Sequence, residues 1–493
     1  MKSVTTGDQQ PRQKTPWGLW VLATLALILI ATAGWIRYRF GSVVLEQVIL
    51  HLPLHGEGTG SDNLMVEAVG VCILAPLGLV ALVAALVQRR LTGRTRPLPR
   101  RRLVAAATAG TAISLGVLLT VVGVPQFAAA QLDGRTFAPY YVTPRTGTLP
   151  AHPKNLITIY LESMENTFSD TELFGHNLLA PLDEATADWA RYDGLQQYPG
   201  GGWTMAGVVS TECGLPLKSR LLVGGVDPNI FGEQAEEYLP SATCLGDLLA
   251  NAGYTSIYLG GANTRFAGKD TFLKNHGYDA VQGREVWERS GEDPANISIW
   301  GLSDARLFSH ARDTVDELRA AGEPFSLTML TLDTHEPPGL YSSCSTADTD
   351  PMATAITCSM RAVAGFLDYL KDSGALADTV VVVMGDHLKA TAEGGSFKAE
   401  LDGTADRTIV LRVWSPEPVQ FARPRADQFS MLATSLDLLG LLPSDGRAGL
   451  GVSLLHDYPL TGTALELPED QYQETVTSPS SDLYKELWAT PQH

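Results

Sequence analysis

Three stretches of the chain contain no charged residue: Trp17–Ile36, Ala68–Val87 and Leu103–Val124. Each matches the roughly 20 apolar residues that a helix needs to cross a bilayer. A chain carrying three such stretches does not fold wholly in water. The first is too long for the apolar core of a cleaved leader, and two more follow it. The prediction is a membrane domain over 1–125 with three transmembrane helices (about 17–36, 68–87 and 103–124). A linker over 126–152, a second domain over 153–460 and an acidic tail over 461–493 follow, the tail expected to pack loosely.

Charge divides the chain in the same way. Residues 1–125 hold 12 Lys+Arg against 5 Asp+Glu, a net +7, whereas residues 126–493 hold 24 against 49, a net −25. So acidic a domain repels phosphate chains, which excludes nucleic acid as a partner. The loop between the second and third stretches carries Arg89, Arg90, Arg94, Arg96, Arg100, Arg101 and Arg102 and no acid. Basic loops stay on the cytoplasmic side, so this loop and the N-terminus with Lys2, Arg12 and Lys14 are expected inside, and the acidic domain outside. Arg37 and Arg39 then face outward, and the seven arginines outweigh them. Between the first two stretches, residues 42–52 repeat apolar side chains at near-helical spacing. Two readings stand: a helix in the lipid interface, or a cap on the outer domain.

Cys72 lies within a stretch, and Cys213, Cys244, Cys344 and Cys358 fall in the outer part. An even count in an oxidising compartment implies two disulfides, with three connectivities open. No CxxC pair or Cys/His cluster points to a zinc–thiolate site.

From residue 155 short β-rich runs alternate with helical patterns. The runs are Asn155–Leu161, Thr255–Leu259, Phe325–Leu332, Thr379–Met384 and Thr408–Trp414. The helical patterns are Thr243–Ala252, Ser303–Ala321, Met352–Lys371 and Ala426–Leu441. Such alternation predicts an α/β domain with a largely parallel sheet covered on both faces. Ligands of such sheets bind beyond the carboxyl ends of the strands. There the sequence places Glu162-Ser163, then Asp333-Thr334-His335-Glu336, then Asp386-His387. Carboxylates and imidazoles converging on one rim are costly unless something binds them, and a divalent metal satisfies them economically. Gly200-Gly201-Gly202 precedes Trp203-Thr204, so the Thr204 hydroxyl is expected at a helix N-terminus, where free N–H groups favour a phosphate. Helix capping is the competing use of that threonine.

The stretches NLITIYLESMENTF (155–168), GGWTMAGVVSTECGLPL (201–217), CLGDLLANAGY (244–254), GANTRFAGKDTFLKNHGYD (261–279), FSLTMLTLDTHEPPG (325–339) and VVVMGDHL (381–388) carry a resemblance. In this order they resemble the membrane-anchored phosphoglycerol transferases of Gram-negative bacteria, within the alkaline phosphatase/sulfatase superfamily. Lipoteichoic acid synthases are more distant relatives. The resemblance implies N-terminal transmembrane helices followed by an alkaline phosphatase/sulfatase-like domain. It implies that Glu162, Thr204, Asp386 and His387 hold one divalent ion, usually manganese, and that Thr204 is the nucleophile. Such a hard, oxygen-rich donor set suits manganese or magnesium, with zinc also possible. His335 matches a residue that contacts the glycerophosphate group. Lys269 falls where lipoteichoic acid synthases have an arginine, which keeps the charge and loses the two-pronged hydrogen bonding. Cys213 with Cys244 and Cys344 with Cys358 look like the family's cysteine pairs. Relatives often have four or five spans, and three are found here.

The activity so implied is transfer of phosphoglycerol from phosphatidylglycerol to periplasmic glucans, by a multi-pass protein of the bacterial inner membrane with its catalytic domain in the periplasm. The alternatives are a phosphoethanolamine transferase, a lipoteichoic acid-type polymerase and a non-catalytic sensor of lipid headgroups. Hydrolysis of sulfate esters is disfavoured, because Cys213-Gly-Leu-Pro216 lacks the C-x-P-x-R pattern that formylglycine formation requires.

Overall fold

The computed structural model describes residues 17–50, 62–90, 100–219, 236–342, 344–346 and 348–490. The chain divides into two compact units, Met1–Arg37 with Asn63–Val122, and Tyr38–Asp62 with Gly123–His493.

Among the described residues three helical stretches, lying almost wholly in the first unit, are long and apolar enough to cross a membrane: Trp17–Phe40, Met65–Val87 and Arg101–Val121. Their side chains are mostly exposed or half-exposed; among the described residues of these stretches only Ala33, Cys72, Pro76 and Val80 are buried. Apolar surface on this scale needs an apolar solvent. Two polar bonds tie the helices together: Trp35 Nε1 donates to Glu67 Oε1 at 3.1 Å, and Thr111 Oγ1 donates to the Leu22 carbonyl at 3.0 Å. The N-terminal lysines and arginine, and residues 91–99 of the basic loop, lie outside the described residues.

The second unit is built on a seven-stranded sheet. Its strands, with two short accessory strands, are β1 (Asn155–Leu161), β2 (Ala190–Arg191), β3 (Leu195–Gln196), β4 (Thr255–Gly260), β5 (Ala280–Gln282), β6 (Phe325–Leu330), β7 (Thr379–Gly385), β8 (Leu411–Trp414) and β9 (Ala426–Asp427). The order is β2-β8-β7-β1-β6-β4-β5, with β3 and β9 paired separately. Strands β7, β1, β6, β4 and β5 run parallel, while β8 alone runs the other way and pairs antiparallel with both β7 and β2. Every residue of β1 and β7 is buried. Their side chains alternate between two cores, Leu156, Tyr160, Val380 and Val382 on one face, Ile157, Ile159, Val381 and Val383 on the other. That is the two-residue period of a strand covered on both sides. Helices Asp304–Ala321 and Pro351–Asp372 supply buried residues to one core, and Thr204–Cys213 and Ser430–Leu438 to the other.

Three expectations change. The segment expected as a linker contains a helix, Val124–Asp133, followed by the fully buried Phe137. The acidic C-terminal segment does not pack loosely: it forms helices Glu469–Thr477 and Ser481–Leu487 and buries Val476, Tyr484 and Trp488 in the main core. Apolar residues at helical spacing outweigh the acidic composition there. The helix expected over Ala426–Leu441 begins only at Ser430, because Ala426–Asp427 is drawn into pairing with β3. Residues 42–50 also make contacts with the rest of the second unit. Leu45–Leu50 is helical, Ile49 is buried, Gly394 N donates to the Tyr38 carbonyl at 2.8 Å, and Val44 lies beside Gly200. These contacts fit a cap on the second unit, and residues 51–52 fall outside the described residues.

Candidate active site and metal centre

The parallel strands end on one rim, and each delivers a chemical group. Glu162 follows β1, and its N–H donates to Thr331 Oγ1, just past β6, at 2.9 Å. Asp386 follows β7, and its N–H donates to the Leu161 carbonyl at 3.1 Å. Ladder bonds extended past the strand ends thus bring Glu162 and Asp386 together. Asp386 Oδ1 accepts from Ser163 N at 2.9 Å and from His387 N at 2.8 Å. Asp386 Oδ2 is buried and has no hydrogen-bond partner.

His387 completes the group. Its Nδ1 faces the Leu388 carbonyl at 2.8 Å, which makes Nδ1 the donor and leaves the Nε2 lone pair for the carboxylates' side. Nε2 lies 3.6 Å from both Glu162 Oε1 and Asp386 Oδ2. Ligand atoms of Glu162, Asp386 and His387 all fall within 4.8 Å of one another, and all three residues are buried. Burial pushes the Asp386 carboxyl above its ordinary range, with the Glu162 charge adding to the rise. Burial would raise Glu162 as well, but His387 and His335 and the Ser163 hydroxyl hold it below the usual range. Burial alone would lower His387, and the two carboxylates instead raise it. Two adjacent buried carboxylates, one with an orphan oxygen, beside an imidazole lone pair, fit a divalent cation.

Thr204 reaches the same group from the start of a helix. It opens helix Thr204–Cys213, after a turn in which Gly200 has φ +98 and Trp203 is extended. Its Oγ1 donates to Glu162 Oε2 at 3.2 Å. The helix can sit this close because residue 207 is glycine: a methyl group there would overlap the Asp386 carbonyl. That carbonyl also accepts from Gln428 Nε2 at 2.7 Å.

The two expected substrate contacts flank the group. Lys269, 4% exposed, starts helix Lys269–Asn275. Burial lowers its pKa, against the opposing pull of Glu162 and Asp386. No hydrogen bond or ion pair engages its ammonium among the described residues, so it is free for an anionic group. His335 packs at a tilt against Trp300 with ring centroids 4.3 Å apart, and its Nδ1 faces the Glu336 carbonyl at 3.1 Å. The four outer cysteines form the pairs the resemblance implied, Cys213–Cys244 and Cys344–Cys358.

Sequence reasoning missed several residues. Lys389 is buried, and its Nζ donates to Glu336 Oε1 at 2.8 Å, linking the loop of His387 to that of His335. It lies three residues after Asp386, a signal that was available. Trp300 and Gln428 reach the site only through tertiary folding, and no local pattern marks them.

A family profile described as Sulfatase matches residues 154–441. Phosphoglycerol transferase I of Escherichia coli is 34% identical over 340 residues, covering 68% of this chain and 43% of the relative. The protein of the same name from Salmonella arizonae is 34% identical over 363 residues, covering 72% of this chain and 45% of the relative. The chain thus spans less than half the length of these curated relatives. Among solved structures, the integral membrane lipooligosaccharide phosphoethanolamine transferase A of Neisseria meningitidis superposes with a TM-score of 0.50 at 11% identity, over 87% of this chain and 85% of that one. That likeness concerns the fold. The family match spans more than half of the chain and encloses the whole rim from Glu162 to His387, so the chain belongs to the Sulfatase family.

Proposed function

We propose that the chain is a phosphoglycerol transferase that moves glycerophosphate from phosphatidylglycerol to a hydroxyl of a periplasmic glucan. The observation that carries this reading is the Thr204 hydroxyl, 3.2 Å from Glu162 Oε2, at the edge of the group formed with Asp386 and His387. The names of the 34%-identical relatives support the glycerophosphate group as cargo.

When bound by Glu162, Thr204, Asp386 and His387, a divalent cation, manganese by preference with magnesium or zinc as alternatives, supplies the positive charge that acidifies an alcohol and neutralises a phosphoryl oxygen. Glu162 Oε2 orients the Thr204 hydroxyl through its hydrogen bond. Thr204 Oγ attacks phosphorus; the Oγ–P bond forms and the bond from phosphorus to the diacylglycerol oxygen breaks. The proton lost by Thr204 passes to that oxygen, and diacylglycerol leaves into the bilayer. Lys269 holds the phosphoryl charge, and His335, braced by Trp300, holds the glycerol end. A glucan hydroxyl then attacks phosphorus, the Oγ–P bond breaks, and the acceptor's proton returns to Thr204. Anchoring in the bacterial inner membrane, with the catalytic domain in the periplasm, keeps the enzyme in the plane of its lipid donor.

The test is the full chain in detergent with headgroup-labelled phosphatidylglycerol and a panel of glucans. Label on a glucan, matched by released diacylglycerol, is expected. Transfer only from phosphatidylethanolamine would make it a phosphoethanolamine transferase. Chain growth without a glucan would make it a polymerase, and no turnover would leave a lipid sensor.

A further inference from the structure

A cleft of about 990 Å3 lies along the outer edge of the sheet. One wall is Ala190–Gly194 with Gln196, the other is Val419–Arg425, and Asp406 and Thr408 also line it. None of these residues belongs to the metal group. Topology connects the two places nonetheless. Strand β8 runs antiparallel to β7, with Leu411 paired to Met384, so β8 begins at the rim where Asp386 lies. Tyr192 N donates to the Leu411 carbonyl at 3.1 Å, and Ile409 N donates to the Leu195 carbonyl at 2.8 Å. The wall from Tyr192 to Gln196 therefore climbs toward the rim. The next residue, Gln197, accepts from Leu388 N at 2.8 Å, immediately after His387. Thr408 supports the same end, its carbonyl accepting from Asn166 N at 2.8 Å.

The lining points to one ligand chemistry. Phe421 packs at a tilt against Tyr192, with ring centroids 4.9 Å apart, and is itself half-buried, so part of an aromatic ring is left to line the cleft. Gln196, Gln420, Arg191 and Arg425 supply planar amide and guanidinium groups. Charge there is nearly balanced, three arginines against two aspartates: Arg191 pairs with Asp193 at 2.7 Å, Arg425 lies 3.6 Å from Asp406, and Arg423 is turned to the Ser453 carbonyl. A polyanion gains little from such a surface. A neutral polyol gains from both parts, its C–H face on the ring and its neighbouring hydroxyls on the planar donors and acceptors. The walls are also pre-formed. Gly194 meets the Pro424 carbonyl with no room for a β-carbon, β3 pairs with β9, and Arg423 Nη2 donates to the Ser453 carbonyl at 2.9 Å. Pre-formed walls reduce the ordering cost of binding.

We infer that this cleft binds the sugar units of an oligosaccharide acceptor that lie beyond the reacting unit, and leads the reacting hydroxyl to the rim beside His387. The inference rests on the transfer reading above and adds where and how the acceptor is held.

The test uses the full chain in detergent, phosphatidylglycerol as donor, and laminaripentaose and glucose as long and short acceptors. Phe421→Ala removes the ring. Ala422→Trp, at an exposed position in the same wall, obstructs the cleft without emptying any core. In both variants KM for the pentasaccharide should rise about tenfold, with the long-to-short transfer ratio falling by a similar factor. An unchanged ratio in both variants of a transferring enzyme overturns the cleft assignment alone. A wild-type chain that forms the Thr204 adduct yet transfers to neither sugar overturns the glucan reading, and the cleft assignment with it.

Discussion

Among the described residues of the second unit, two clusters have ligand-type side chains within reach of one another: Glu162, Asp386 and His387 at the rim, and Cys244, Asp247 and His276 beside the Cys213–Cys244 disulfide. By composition either is a metal site. Hydrogen bonding separates them. His276 Nδ1 lies 2.8 Å from Asp247 Oδ2 and its Nε2 lies 3.0 Å from the Tyr238 carbonyl, so both ring nitrogens are already engaged by neighbouring protein oxygens. Asp247 Oδ2 also accepts from Cys244 N at 2.8 Å, and the Cys244 sulfur is spent in the disulfide. At the rim the His387 lone pair and Asp386 Oδ2 have no such partners. Unspent donor capacity, more than residue type, separates the proposed metal site from the structural cluster.

Mutations should widen that contrast. The largest effect belongs to Thr204→Ala, which should cut transfer by a factor on the order of 10⁴ or more while leaving thermal stability little changed and manganese still bound, though more weakly for want of one hydroxyl ligand. Residual turnover within a few-fold of the wild type would move the nucleophile elsewhere. Next, Asp386→Asn should weaken manganese binding by at least about 100-fold in a calorimetric titration. His276→Gln should leave that affinity unchanged and instead lower stability by about 1–3 kcal/mol, through the hydrogen bonds it strands. Equal losses of metal in the two variants would break the distinction.

Gly207→Ala tests whether the nucleophile's helix must touch the strand end. The added methyl group meets the Asp386 carbonyl, so the helix has to shift. A displacement of about 1 Å should reduce kcat on the order of 100-fold with the protein still folded. Wild-type turnover in this variant would show that the close approach is dispensable.

The smallest effect lies beneath the site. Glu212 is buried, with Tyr160 and Tyr278 donating to its Oε1, and burial raises its pKa to about 7. A carboxyl raised on folding stabilises the folded chain at low pH. That contribution is present below the unfolded value near 4.5 and is lost as pH rises through about 7. Wild-type Tm should therefore fall by roughly a few degrees between pH 5 and 8 relative to Glu212→Gln. Parallel pH profiles for the two proteins would remove Glu212 from the balance.

Legibility in the sequence followed the physics of each part. Strands β1 and β7 were plain because an unbroken apolar run suits a strand covered on both faces, and the three apolar stretches because lipid demands length and lack of charge. Glu162, Asp386 and His387 were legible because each directly follows a strand, and parallel strands share one rim. Thr204 was marked by its glycine turn. The Lys389–Glu336 link and the Trp300 support for His335 were not legible, since they join loops that only the folded sheet brings together. The C-terminal helices misled because acidic composition hid the apolar spacing of Val476, Tyr484 and Trp488.

The central claim is a covalent bond from phosphorus to one threonine. Peptide mass spectrometry of the full chain, quenched during incubation with phosphatidylglycerol in the absence of acceptor, tests it most directly. A glycerophosphate mass on the peptide containing Thr204, lost again when acceptor is added, is the predicted result. A modification on Ser210 or Thr211 instead, or turnover with no adduct on any residue, would contradict it.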